Sequence, residues 1–158
     1  MGTKAIVFII DENKDILATI YSQNNGYPDG IGLTLFNLLK NRKCVDGFTG
    51  ETDGTVCYNG IEDIAATIVH ELKKDCGIGG VYLYPHPKDY RNDSTEKEQE
   101  EALLTYSEFV AEYVYVITPQ IKLNILSCEL YITIYHYNDK IYNGLVNDMN
   151  DPEYELFF

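Results

Sequence analysis

The stretch NNGYPDGIGLTLFNLL, residues 24–39, gathers the residues best placed to do chemistry. Gly26, Gly30 and Gly32, with Pro28 and Asp29 among them, stand directly ahead of a helical pattern. Free N–H groups at a helix start attract phosphate. The loop therefore reads either as a ligand site built from Tyr21, Asn25, Gly26, Tyr27, Asp29, Gly30 and Gly32, or as a strand-to-helix connection whose glycines serve packing. Gly26 permits positive φ, Pro28 sets up a turn, and Asp29 can cap a helix. Neither the P-loop frame G-x-x-x-x-G-K-[ST] nor the dinucleotide frame G-x-G-x-x-G is present, and Asp29 would repel an anion.

Other chemistries fare less well. No serine stands in G-x-S-x-G. Cys76 and His70 are six residues apart on one expected helix, which puts them on different faces. Cys44, Cys57, Cys76 and Cys128 include no C-x-x-C pair, so free thiols are expected rather than structural zinc. The carboxylates Glu62-Asp63, Asp148-Asp151 and those in 46–54 lack the alternating ligand frame of a calcium loop. No catalytic residue, metal or cofactor is expected.

A second candidate is aromatic. Fourteen tyrosines and six phenylalanines occur with no tryptophan. Tyr113, Tyr115, Tyr131 and Tyr135 concentrate in the β-rich C-terminal third, either from sheet preference or as an interface, where tyrosine gives large contact area at low entropy cost.

The elements that must position these residues follow from periodicity. The apolar run Ala5–Ile10 suits a strand buried on both faces, and Ile16–Ser22 alternates, so the two form an antiparallel hairpin. A helix follows the glycine loop and stops near Arg42-Lys43; 46–58 is a loop. Ile61, Ile64, Ala65, Ile68 and Leu72 define a second helix, capped by Asn59 with Glu62 and ended by Gly77. Val81–Tyr84 is a short strand. Residues 88–101 are a solvated loop or a short exposed helix. Phe109–Thr118 should be a central strand, followed by strands at 121–126, 129–137 and 140–146 with a turn at Asn138-Asp139. This is α+β, an antiparallel sheet with two helices on one face, in the order β-β-α-α-β-β-β-β. One domain spans 1–146, and 147–158 is an acidic, aromatic-ended tail.

The loop also carries a resemblance. IYSQNNGYPDGIGLTL, residues 20–35, resembles the Y-R-H-W-D-G-Y-P-x-x-x-G segment of a family of small uncharacterised phage and bacterial proteins. AEYVYVI, residues 111–117, is similar to that family's later E-Y-x-Y strand. Gly26-Tyr27-Pro28 and Gly32 match. Ser22, Gln23, Asn24 and Asn25 stand where the family has Arg, His, Trp and Asp, so its most reactive residues are replaced. The resemblance implies a viral or mobile-element origin and supplies no mechanism.

The net charge of −13 on 158 residues disfavours nucleic-acid binding. No apolar run is long enough to span a bilayer, and no leader is evident, so a soluble cytoplasmic protein is expected (host cytoplasm if viral). The leading expectation is a non-enzymatic interaction module that self-associates or binds another protein. The alternatives are a binder or enzyme for a phosphorylated ligand at the glycine loop, and an acidic nucleic-acid mimic using Glu96, Glu98, Glu100, Glu101, Asp148, Asp151, Glu153 and Glu155.

Overall fold

The computed structural model describes residues 2–40, 42–45, 57–121 and 127–149. The fold is α+β. Strand β1 (Ala5–Ile10) is buried at every residue, as its unbroken apolar run requires. It pairs antiparallel with β2 (Ile16–Ser22), with a register shift between Ile9 and Ile10. Asp11 closes the connecting turn, its Oδ1 accepting the N–H groups of Asn13 and Asp15 at 2.9 Å.

Along its other edge β1 pairs parallel with β6 (Tyr113–Ile121), Ala5 opposite Tyr113. The sheet is therefore mixed, not purely antiparallel. Periodicity reports that a segment is a strand but not its direction, and the long connection from β2 to β6 leaves enough chain for a crossover. The remaining strands are β3 (Lys43–Val45), β4 (Cys57–Asn59), β5 (Val81–Leu83), β7 (Ser127–His136) and β8 (Asp139–Leu145). Their order is β4-β3-β7-β6-β1-β2-β5, with β8 also pairing with β7. The central strand starts at Tyr113 rather than Phe109, which lies outside it and is 89% exposed.

Alternation along β1 divides the core in two. Ala5, Val7 and Ile9 pack with Leu35 and Leu39 of α1 (Leu33–Leu39) and with Ile61, Ile64 and Ile68 of α2 (Gly60–Lys73). Both expected helices thus share one face. Ile6, Phe8 and Ile10 pack on the other face with Val114, Val116, Tyr135 and Leu103 of a third helix, α3 (Glu96–Ser107). Its start is capped by Thr95, whose hydroxyl accepts the Glu98 N–H at 3.1 Å and donates to the Glu98 carboxylate at 3.0 Å. Helix α2 is capped differently from expectation, since Asp63, not Glu62, accepts the Asn59 N–H at 2.8 Å.

The β7–β8 turn is also shifted by one residue. His136 pairs with Asp139, so the turn residues are Tyr137 and Asn138, at φ 47° and 71°. Both positive values mark a type I′ geometry, which matches the twist of the flanking strands. The expected strand at 121–126, most of the 46–58 loop and residues 150–158 of the tail lie outside the described residues.

Candidate functional site

The glycine loop closes on itself. One π-helical turn, Pro28–Gly32, runs directly into α1. The N–H groups of Gly30 and Gly32 both reach the Tyr27 carbonyl, at 2.9 and 3.3 Å, and Ile31 N–H reaches that of Asn25 at 2.8 Å. Donors that a phosphate would need are spent inside the loop. Gly26 N–H bonds the Thr3 carbonyl at 2.9 Å, and a Cβ on Gly26 would sit 2.9 Å from the Lys4 backbone. A Cβ on Gly30 would strike the Asn25 carbonyl oxygen. Gly26 thus lets the loop dock against the start of β1, and Gly30 lets the loop fold back on Asn25. Asn25, at φ 59°, takes the left-handed conformation that asparagine tolerates. Tyr21 faces away from this loop, stacked on Tyr84 with centroids 4.6 Å apart, in the α3-side core.

The structure brings the loop against the E-Y-x-Y strand. The buried Tyr115 hydroxyl donates to the Gly26 carbonyl at 2.6 Å and pins it. The Tyr27 ring, 48% exposed, tilts over Tyr113 with centroids 5.9 Å apart. Tyr113 stacks on His136 at 4.5 Å, and His136 in turn meets Tyr137 at 4.7 Å. Glu112 completes the group: its carboxylate lies 3.1 Å from His136 Nε2 and its carbonyl accepts the Tyr137 N–H at 3.0 Å.

The electrostatics of this patch are negative. Burial pushes the Tyr113 phenol up to about 12, helped by the charges of Glu112 and Asp29. Glu112 raises Tyr137 chiefly by its charge, although that ring is exposed. Burial holds Tyr115 well above its ordinary range. The result is a row of aromatic rings from Tyr27 to Tyr137, beside a carboxylate, with both outer rings open to solvent.

The four tyrosines read as an interface do not lie together. Tyr113 and Tyr115 belong to the helix α1–α2 core and Tyr135 to the α3-side core, all three buried. Tyr131 alone is half-buried. Tyr113 and Tyr115 lie on one face of the sheet and Tyr131 and Tyr135 on the other, so the four do not form a single surface. Sequence reasoning missed Glu112, His136 and Tyr137. The signal that could have found Tyr137 is the hairpin turn, where Tyr-Asn replaces the usual Asn-Gly.

Among the described residues, no group of three or more His, Cys, Asp or Glu could hold a metal ion, and no helix is long and apolar enough to cross a membrane. No protein-family model, curated protein or solved structure matches this chain.

Proposed function

We propose that this protein is a non-enzymatic interaction module that captures a cationic side chain of a partner protein on the exposed Tyr27 and Tyr137 rings that flank the buried Tyr113 and half-buried His136, with Glu112 as counter-charge. The observation that carries the reading is Tyr137. A bulky residue at φ 47° costs about 1 kcal/mol or more relative to glycine, yet its ring is 67% exposed and rests on His136 beside Glu112 rather than in the core. Exposed tyrosine faces beside a carboxylate attract ammonium and guanidinium groups, at about 0.5–2 kcal/mol per ring. The net charge of −13 steers a basic partner toward the surface and repels a second copy of the chain, so the partner is a different, basic protein.

The test is an NMR titration with a short trimethyllysine peptide, using an acidic peptide of equal length as control. Saturable shifts at Tyr27, His136 and Tyr137 are expected with the cationic peptide alone. Tyr137→Gly relieves the backbone and should hold or raise the melting temperature while removing binding. Binding unchanged in both Tyr137→Gly and Tyr27→Ala would refute the assignment.

A further inference from the structure

We propose that the cleft between α3 and its sheet face binds a small neutral polyol of the mono- or disaccharide class. The cavity measures about 300 Å³, at the small end of ligand sites. One wall is α3, contributing Gln99 and Glu100. The floor is β7, where Tyr131, Thr133 and Tyr135 alternate onto one face, and β8 adds Lys140 and Asn143.

Charge selects the class of ligand. The lining lysines Lys14 and Lys140 are matched by Glu96 and Glu100, and Lys140 Nζ lies 2.9 Å from Glu100 Oε2. A lining with balanced charge gives neither a cation nor an anion a net advantage.

Hydrogen bonding then narrows it. Glu100 Oε2 also accepts the Tyr135 hydroxyl at 2.6 Å, which fixes the carboxylate and keeps its second oxygen as an acceptor for a ligand. Thr133 Oγ1 lies 3.0 Å from Asn143 Oδ1, so the asparagine spends its acceptor on the protein and keeps two N–H donors. Adjacent ring hydroxyls donate and accept at once, which suits a carboxylate oxygen near an amide donor. Two half-buried rings, Tyr90 and Tyr131, line the same cavity, and Tyr90 is anchored through its hydroxyl to the Lys14 carbonyl at 2.8 Å. Such rings offer apolar faces to the C–H side of a pyranose.

The experiment titrates glucose, N-acetylglucosamine, maltose and cellobiose to tens of millimolar into the labelled full chain. Sodium phosphate and tetramethylammonium chloride serve as charged controls, and the readout is the NMR shifts of Thr133, Asn143 and Gln99. At least one saccharide should give saturable shifts there, with affinity falling by about 10-fold or more in Asn143→Ala and in Tyr131→Ala. Asn143 is exposed, so its alanine variant keeps the fold, which circular dichroism checks. Tyr137→Gly should leave saccharide binding unchanged, which separates this cleft from the aromatic patch. The proposal is overturned if no saccharide gives a saturable shift, if phosphate or tetramethylammonium gives the same shifts, or if both variants bind as the parent does.

Discussion

Raising the pH should unfold this protein abruptly, because its buried tyrosines keep protons that the unfolded chain releases. Tyr113 is pushed up to about 12 by burial and by the nearby charges of Glu112 and Asp29. Burial raises Tyr115, and burial with the Glu100 carboxylate raises Tyr135. All three are at most 5% exposed. A folded-state pKa above the ordinary value of 10.0 contributes stability that is complete below pH 10.0 and is lost as pH rises toward the folded value. Each retained proton costs about 1.4 kcal/mol per pH unit above that point, so three cost about 4 kcal/mol per unit. By about pH 11.5 the loss is roughly 6 kcal/mol, within the usual 5–15 kcal/mol stability of a domain. The midpoint should fall between about pH 11 and 12.

The assay follows tyrosinate absorbance, clean here because the chain has no tryptophan, together with far-ultraviolet circular dichroism. A first, reversible absorbance rise should precede unfolding. A second absorbance step should coincide with loss of the circular dichroism signal. Tyr115→Phe should make the alkaline limb shallower by one proton, at a cost of about 1 kcal/mol at neutral pH from the lost bond to Gly26. The reasoning fails if every tyrosine ionises in one step while the circular dichroism stays native.

Three further outcomes are expected. Gly26→Ala should destabilise by about 1–3 kcal/mol in urea, because its Cβ meets the Lys4 backbone at 2.9 Å. Gly32→Ala should instead stabilise by about 0.4–1 kcal/mol, since Gly32 has helical φ and ψ and its Cβ would make only 3.5 Å contacts; an equal loss in both variants would contradict this account of the loop. The Tyr135 hydroxyl, then Lys140, holds the Glu100 carboxyl below its ordinary 4.5, so its contribution is present above that pH and lost as pH falls through the folded value. Glu100→Gln should therefore flatten the acid limb of a melting-temperature profile, and an unchanged limb would count against the Glu100–Tyr135–Lys140 network.

Much of the architecture was legible in local sequence. The run Ala5–Ile10 dictated a strand buried on both faces, since no alternation offers a side to water. The stripe Ile61, Ile64, Ala65 and Ile68 fixed the inner face of α2, and Gly26, Gly30 and Pro28 marked a constrained loop. Helix α3 was signalled too, by the Thr95–Glu98 spacing ahead of its charged run. What periodicity could not supply was partnership. An alternating strand has the same pattern whether its neighbour runs parallel or antiparallel, so the β1–β6 pairing was invisible, and with it the meeting of Tyr27 and Tyr113. Nor could the sequence say which tyrosines would be exposed. That depended on α3 covering the second face, which buried Tyr135 and left Tyr131 beside a cleft. Tyr137, Glu112 and His136 became neighbours because the β6–β7 pairing places His136 opposite Tyr113 and the two-residue β7–β8 turn begins at Tyr137 just beyond it. Local propensity is written in spacings of two to four residues, whereas a site is made by contacts such as the one from Tyr115 to Gly26, between segments far apart along the chain.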